Sequence, residues 1–159
     1  DHLTCLLAGD PLNSRVIHSL IRGLSLFKNN TVYLLSPQQL RLQRSDLRYW
    51  QQRNIRIVEI GSEQEIPARC DLWYWTRIQK ERFASPQEYE AAMRQGFIVT
   101  PHLFQARAGE HTLLMDPLPR VATIDPAVDA DERALYFRSQ IRNGLYIRMA
   151  LLALVLGRV

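Results

Sequence analysis

Short apolar segments alternate with amphipathic ones along most of this chain, and that alternation limits the folds open to it. LTCLLAG, TVYLLS, IRIVEI and CDLWYW are rich in apolar residues, as buried strands are. The segment between the first two, NSRVIHSLIRGLSLF, carries Val16, Ile17, Leu20 and Leu24 at helical spacing. Strands separated by helices form βαβ units. The sequence therefore predicts an α/β fold, with a parallel sheet and helices on both of its faces.

The rest of the chain carries weaker signals of the same kind. SDLRYWQQR, SEQEIPA and SPQEYEAAMRQ are predicted to be helical, the last with Ser85 as its cap and Pro86 at its first position. FIVT and HTLLMD are predicted to be short strands, joined by PHLFQARAG. The closing stretch is predicted to be helical from about Arg133, and a break near Asn143 and Gly144 is left open.

Composition narrows the classes of function. The chain of 159 residues is long enough for one domain, and its 47% apolar content is enough for a core. Its net charge of +4 comes from scattered arginines that no aromatic stacking stripe accompanies, so we expect an anionic small molecule rather than nucleic acid. The longest apolar run, MALLALVLG, is far shorter than the roughly 20 residues that cross a bilayer, so no membrane partner is expected.

Cysteine usage and motif absences exclude several kinds of chemistry. Cys5 and Cys70 each lie in an apolar, strand-like segment, which predicts two buried free thiols and fits a reduced, cytoplasmic compartment. No spacing of cysteine and histidine suggests a metal site. Neither GxGxxG nor GxxxxGK[ST] occurs, and neither GxSxG nor HExxH does. We therefore expect no nucleotide cofactor and no hydrolase or metalloprotease activity.

Arginines cluster after three of the predicted strands. In a parallel α/β sheet, ligands bind beyond the carboxyl ends of the strands, where the strand order reverses. The loops GDPLNSR, TRIQKER and DPLPR follow predicted strands and carry Arg15, Arg77, Arg82 and Arg120. A planar guanidinium forms two parallel hydrogen bonds with a carboxylate. The sequence therefore predicts a site for a multiply charged anion, whose chemistry depends on positioning and charge stabilisation.

Plainer interpretations of the single residues stay open. Arg15, in the first turn of a helix, can be an ordinary exposed arginine, although its charge opposes the helix dipole. His18 can be a structural hydrogen-bond partner, and Lys80 with Glu81 can be a surface charge pair. Pro117 can serve only to stiffen its loop.

Four strings, in order along the chain, resemble one enzyme family. GDPLNSRVIHSL, TRIQKERF, MDPLPRVATIDPAVD and YFRSQIRNGLYIRMALLALVLG are similar to the loops and closing helices of the C-terminal, aspartate-binding domain of aspartate carbamoyltransferase. The resemblance covers nearly the whole chain and implies a Rossmann-like α/β domain. It also implies a reaction in pyrimidine biosynthesis: L-aspartate attacks carbamoyl phosphate, phosphate leaves, and N-carbamoyl-L-aspartate forms. It implies neither a cofactor nor a metal.

The resemblance also implies a role for each matching residue. Arg15, Arg77 and Gln79 are expected to bind L-aspartate. The backbone of Leu118 and Pro119 is expected to contact the carbamoyl group of carbamoyl phosphate. The residues expected to support the site, or to fix its mobile loop in a closed state, are Glu81, Arg82, Pro117 and Arg148.

Three positions depart from the family pattern. Asp116 stands where the family has histidine, and Leu12 and Ser14 stand where it has lysine and glycine. Asp116 is expected either to weaken anion binding or to pair with Arg120. A catalytically silent carbamoyltransferase-like domain, with a structural or regulatory role, is therefore the alternative function. The related ornithine enzymes are faintly similar at Asn13, but the arginines favour a dicarboxylate over a diamine.

One half of the expected active site is not encoded in this sequence. The family's phosphate-binding Ser-Thr-Arg-Thr string is absent. We therefore expect residues 1–143 to be the aspartate-binding domain, inactive by itself. Residues 144–159 are expected to form a helix that packs on a carbamoyl-phosphate-binding domain of the same polypeptide, because GLYIRMALLALVLG is apolar around nearly its whole circumference. The resemblance also implies a homotrimer of catalytic chains, and a larger assembly stays open.

Overall fold

A parallel sheet forms the centre of the molecule, in a computed structural model that describes residues 1–93 and 97–158. Its strands are β1 (Thr4–Ala8), β2 (Asn30–Leu35), β3 (Ile55–Ile60), β4 (Leu72–Trp75) and β5 (Leu113–Met115). Their order across the sheet is β3-β2-β1-β4-β5, and every neighbouring pair is parallel. The α/β fold expected from the alternating segments is confirmed.

Helices connect the strands, and side chains cap several of them. They are α1 (Arg15–Leu24), α2 (Arg44–Gln51), α3 (Pro86–Met93), α4 (Pro101–Arg107) and α5 (Ser139–Val155). Ser14 caps α1, because its side chain accepts a hydrogen bond from the backbone N–H of Ile17. Ser85 accepts one from the N–H of Glu88 at 3.2 Å, as the sequence predicts for the start of α3.

Apolar side chains pack on both faces of the sheet. On one face, Ile17 and Ile21 of α1 pack in a cluster with Leu7 of β1. On the other face, Phe104 of α4 lies against Trp73 of β4, with ring centroids 5.4 Å apart. Burial of a side chain of this size contributes about 1.5–3 kcal/mol, so the two clusters hold the helices onto the sheet and confirm the expected layers.

Both cysteines are free and buried, as expected. Burial raises the pKa of the Cys5 thiol to about 12 and that of the Cys70 thiol to about 11. Since the thiolate is the reactive form, both side chains act as small apolar residues of the core.

Three of the element predictions are wrong. PHLFQARAG, predicted to be a connection, contains α4, which Thr100 caps by accepting a hydrogen bond from the N–H of Leu103. FIVT is not a strand, because only Val99 forms an isolated bridge, to Ile124. The last helix starts at Ser139 rather than near Arg133, since the preceding segment turns back to the sheet and bridges Leu114.

Two further predictions are refined by the structure. SEQEIPA forms only a short 3-10 turn, over Glu63–Glu65. Helix α5 continues through Gly144 without a break. The predicted helix SPQEYEAAMRQ is described as far as Met93, and its final Arg94 and Gln95 lie outside the described residues.

Helix α5 differs from α1 to α4 because none of its residues is buried. Five of its apolar side chains, each more than half exposed, define what we call the α5 apolar surface: Ile141, Leu145, Ile147, Leu151 and Leu154. In the described part of the chain, no helix is long and apolar enough to span a membrane.

Candidate functional site

The strand order reverses between β1 and β4, and the loops after these strands touch each other. Gly9 follows β1 with φ of +117°, a conformation that L side chains rarely adopt, and a Cβ there would lie 2.1 Å from the carbonyl oxygen of Thr76. The Thr76 hydroxyl donates a hydrogen bond to the carbonyl of Ala8 at 2.8 Å. The switch point of the sheet is therefore closed by direct contact, and a ligand can bind only beyond it.

A buried carboxylate organises the loop after β1. The backbone N–H of Asn13 donates to Oδ1 of Asp10 at 3.0 Å, and Nδ2 of Asn13 donates to the same carboxylate. Burial raises the pKa of Asp10, and the hydrogen bonds from Asn13 act against that rise. The N–H of Ser14 donates to the Asp10 carbonyl, which places the cap of α1 and thereby Arg15 at its first position. Asp10 is not among the residues predicted from the sequence, although it directly follows Gly9 at the end of β1.

The loops after β1, β4 and β5 enclose one pocket, of about 240 Å³, which we call the arginine pocket. Arg15, Arg77 and Arg82 all line it, so the predicted convergence of guanidinium groups is present. The other residues that line it are Asn13, Ser14, Val16, Thr76, Gln79, Asp116, Pro117, Leu118 and Pro119.

In the loop after β4, buried and pocket-lining side chains alternate. Ile78 is 5% exposed and packs in the core, while its neighbours Arg77 and Gln79 line the arginine pocket. Arg77 forms an ion pair with Glu81, which does not line the pocket, and Nε of Arg82 donates to Oε1 of Gln79 at 3.4 Å. The loop thus holds its own polar side chains in place before any ligand binds.

The charges in this loop stay open to solvent. The side chains of Arg77 and Glu81 are 41% and 53% exposed. A hydrogen bond from its own backbone N–H, and then the Arg77 guanidinium, hold the pKa of Glu81 below its ordinary value. Exposed pairs of this kind contribute little to stability, so Arg77 can exchange Glu81 for a ligand carboxylate at small cost.

The loop after β5 has an unusual backbone. The peptide bond from Leu118 to Pro119 is cis, and Leu118 has φ of +57°. Asp116, 1% exposed, accepts a hydrogen bond from the N–H of Leu118 at 2.6 Å, and burial raises the pKa of its carboxyl group. Its other oxygen, Oδ2, has no hydrogen-bond partner among the described residues.

The suggested pairing of Asp116 with Arg120 is wrong. Arg120 instead forms an ion pair with Asp129, which also accepts a hydrogen bond from the hydroxyl of Tyr136 at 2.5 Å. Tyr136 and Phe137 lie beneath the guanidinium, with ring centroids within 6 Å. Arg120 therefore belongs to this cluster and does not line the arginine pocket.

The other residues singled out from the sequence have positions near the arginine pocket or structural roles beside it. Arg148, on α5, lines a second cavity of about 1110 Å³ between α5, α1 and the loop after β5, which we call the α5 groove. His18 donates from Nε2 to the carbonyl of Pro11 at 2.8 Å, a structural role. Ser14 caps α1, while Leu12 does not line the pocket and donates its N–H to Leu40. Within residues 1–93 and 97–158, no three metal-ligating side chains come together.

Comparisons with known proteins agree with this geometry. A family model described as "Aspartate/ornithine carbamoyltransferase, Asp/Orn binding domain" matches residues 1–155. The chain is 44% identical to the multifunctional protein CAD of Squalus acanthias, over 98% of this chain and 7% of that protein. It is 40% identical to the aspartate carbamoyltransferase catalytic subunit of Methanocella arvoryzae, over 98% of this chain and 49% of that subunit.

Solved structures give the same result. The catalytic subunit of M. jannaschii aspartate transcarbamoylase superposes with a TM-score of 0.89 at 35% identity, covering 100% of this chain and 52% of that one. The Trypanosoma cruzi aspartate transcarbamoylase in complex with N-(phosphonacetyl)-L-aspartic acid superposes with a TM-score of 0.82 at 32% identity, covering 96% and 49%. The chain thus spans about half the length of these catalytic subunits. It belongs to the aspartate/ornithine carbamoyltransferase family, as an Asp/Orn-binding domain whose relatives are aspartate carbamoyltransferases.

Proposed function

We propose that this chain is the aspartate-binding half of an aspartate carbamoyltransferase. The observation that carries the proposal is that Arg15 and Arg77, from loops on two different strands, line one pocket at the switch point of the sheet. Two guanidinium groups can each bind one carboxylate of L-aspartate in bidentate fashion. A diamine such as ornithine would bring a second cation into the same positive pocket, so the geometry favours aspartate.

In the reaction, the residues of this chain bind and orient L-aspartate. The unprotonated α-amino group attacks the carbonyl carbon of carbamoyl phosphate, a C–N bond forms, and the C–O bond to phosphate breaks. Phosphate leaves with that electron pair and takes up the proton that the nitrogen releases, and N-carbamoyl-L-aspartate remains. Holding the amine next to the carbonyl removes most of the entropic cost of a bimolecular step. Closure of the site over both substrates would expel water.

The remaining pocket residues support this arrangement. Gln79 lies beside Arg77 and contributes an amide to the bound aspartate, while the backbone of Leu118 and Pro119 faces the carbamoyl group. Glu81 holds Arg77 when no substrate is bound, and Arg82 holds Gln79. The residues proposed to shape the wall and its surroundings are Pro117 and Arg148.

The division into two parts also belongs to the proposal. Residues 1–143 form the aspartate-binding domain, and residues 144–159, which include most of α5, pack on a carbamoyl-phosphate-binding domain of the same polypeptide. Relatives twice as long as this chain, and apolar side chains that nothing in the described residues covers, support it. Deletion of residues 145–159 from the full-length protein is expected to cause aggregation or loss of activity. A deletion variant that stays monodisperse and active would contradict the docking.

Assembly and location follow from the same reasoning. We propose a homotrimer of catalytic chains in the cytoplasm, alone or within a larger assembly. The trimeric state rests on the family resemblance, and the two unreactive buried thiols fit a reducing compartment. Light scattering of the full-length protein measures the trimer, and a monomer that turns over substrate would contradict it.

The deciding experiment is an assay of the full-length protein with carbamoyl phosphate. We expect carbamoyl transfer to L-aspartate and none to L-ornithine, together with tight binding of a bisubstrate mimic that carries a phosphonate and an aspartate moiety. Transfer to ornithine would reverse the assignment of substrate.

A catalytically silent domain with a structural or regulatory role is the second candidate. One observation favours it: Asp116, where the family has histidine, places a buried carboxyl group in the wall of an anion pocket. This candidate predicts a folded protein without turnover, in which Asp116→His restores carbamoyl transfer.

A further inference from the structure

One side chain of α5 holds both backbone groups of Asp116. Nε2 of Gln140 donates to the Asp116 carbonyl at 2.5 Å, and the N–H of Asp116 donates to Oε1 of Gln140 at 3.3 Å. Strand β5 ends at Met115, so these are the first backbone groups past the end of the strand. A primary amide offers one donor and one acceptor side by side and satisfies both groups. The loop after β5 is thereby attached to the first turn of α5.

The side chain of Asp116 extends this attachment to Leu118. Its Oδ1 accepts the Leu118 N–H at 2.6 Å, and the acceptor is 1% exposed. Leu118 lies in the left-handed region, with φ of +57°, where a residue with a Cβ is unfavourable unless its surroundings hold it. The contacts therefore run in series from Gln140 through Asp116 to Leu118.

This series separates two cavities. The arginine pocket and the α5 groove share Val16, Pro117 and Leu118 in their walls. Gln140 lines only the α5 groove, and Asp116 lines only the arginine pocket. A movement of Gln140 on one side would therefore change the backbone that a ligand meets on the other side.

We propose that Gln140 and Asp116 are positioning residues that fix the Leu118 backbone in the wall of the arginine pocket for the bound substrate. Neither needs to touch the substrate, since both act through Leu118. The identity of that substrate, an amino acid with two carboxylates next to a carbamoyl group, rests on the function proposed above.

The sequence of this loop makes a direct test practicable. Pro117 and Pro119 have no amide hydrogen, so Leu118 carries the single exchangeable backbone amide of residues 117–119. Hydrogen exchange of the full-length protein, measured on peptides that end on either side of these residues, reports the Leu118 amide alone.

Gln140→Met keeps the length of the side chain and removes both of its hydrogen bonds. We expect the Leu118 amide to exchange about tenfold faster, because the loss of a hydrogen bond lowers the free energy of local opening of this loop. Gln105→Met, an exposed glutamine on α4, is the matched control and should leave the rate unchanged. Equal exchange in Gln140→Met and Gln105→Met would overturn the proposal.

Two variants of Asp116 test the second step of the series. Asp116→Asn keeps an oxygen that accepts the Leu118 N–H and should preserve slow exchange. Asp116→Leu removes the acceptor and should accelerate exchange at least as much as Gln140→Met does. Rapid exchange in Asp116→Asn would contradict the role of Oδ1. The result for Asp116→Asn can be interpreted even if Asp116→Leu does not fold.

Kinetics of the full-length protein separate this proposal from the proposed function. We expect Gln140→Met to lower kcat about tenfold, measured at a temperature where both variants remain folded, while Gln105→Met keeps the wild-type kcat. Wild-type protein without carbamoyl transfer would reject the proposed function, and the exchange experiment would then decide this proposal by itself. An active wild type whose kcat and KM are unaltered by Gln140→Met would overturn this proposal alone.

Discussion

The arginine pocket and the α5 apolar surface differ in how far contacts within this chain hold their side chains in place. In the pocket, several polar side chains already have partners: Arg77 is paired with Glu81, and Arg82 is bonded to Gln79. On α5, side chains such as Leu151 and Leu154 are more than half exposed, and no residue of the helix is buried. The pocket is organised by this domain alone, whereas the α5 apolar surface has no cover among the described residues.

The difference follows from how each region is built. The pocket lies at the switch point of a sheet whose two faces are packed, so the strand ends fix where its loops begin. Helix α5 follows the last strand and lies outside both core clusters. The loops of the pocket are therefore ordered by the packed sheet, while we expect the last helix to be stabilised by another surface.

The largest expected effect is a loss of unfolding free energy when the contact between Gly9 and Thr76 is disrupted. In Gly9→Ala the new Cβ would collide with Thr76 at a residue with positive φ, so we expect a loss of about 4 kcal/mol in unfolding free energy. Gly23→Ala, in α1, is the control, because a Cβ there meets nothing within 4 Å and should stabilise the helix by about 0.5–1 kcal/mol. Urea unfolding of both variants measures this, and similar values would show that the pocket is not held by its own loops.

The second largest expected effect is a fall in kcat/KM for aspartate when a positive charge is removed from the arginine pocket. Arg77→Ala removes a guanidinium that we expect to bind a substrate carboxylate. In the full-length protein kcat/KM for aspartate should fall about 100-fold, equivalent to about 3 kcal/mol of transition-state stabilisation. Arg56→Ala, exposed on β3 and outside the pocket, should leave kcat/KM unchanged. A near-normal rate in Arg77→Ala would remove Arg77 from the site.

A smaller effect distinguishes the α5 apolar surface from the core. Leu154 is 62% exposed, so Leu154→Gln should change the unfolding free energy of the 159-residue chain by less than about 0.5 kcal/mol. In the full-length protein, where we expect this leucine to be covered, the same change should cost about 2 kcal/mol. Denaturation of both forms gives the two values. An equal cost in both would mean that α5 has no docking partner.

The smallest expected effect is a dependence of the unfolding free energy on pH, caused by Asp116. Burial raises the pKa of the Asp116 carboxyl group, so the folded protein keeps this proton to a higher pH than the unfolded chain does. The contribution of Asp116 to unfolding free energy is therefore lost as the pH rises from the ordinary value of about 3.9 through the folded pKa. Asp116→Asn cannot ionise, so it should be more stable than wild type at pH 7, and the difference should shrink at pH 4. A difference that is independent of pH would contradict this account.

Much of the pocket was predictable because its position follows from topology. Alternating strands and helices predicted a parallel sheet, and the rule for such sheets predicted which loops meet. Arg15, Arg77 and Arg82, selected from their positions after strands, therefore line one pocket, whereas Arg120, selected by the same rule, does not. The contact between Gly9 and Thr76 was not predicted, since it depends on a distance between two loops 67 positions apart in the chain, which periodicity does not encode.

The errors lie where local signals compete with tertiary contacts. The segment of α4 is short, but Thr100 followed by Pro101 is a start signal that could have identified it. The stretch from Arg133 has helix-forming residues, yet its first residues bridge to β5, and the helix begins only after that contact. Asp116 was expected to find Arg120, but Asp129 and Tyr136 hold that arginine, a competition that sequence alone does not resolve.

The unbroken course of α5 has a mechanical consequence. Its 17 residues make a rod about 25 Å long, and the first turn of that rod is bonded to the loop beside the arginine pocket. An unbroken helix carries a change in its tilt along its length, and Gln140 is where α5 is hydrogen-bonded to the loop after β5. A change in the direction of α5 would therefore reach the Leu118 backbone through Gln140 and Asp116.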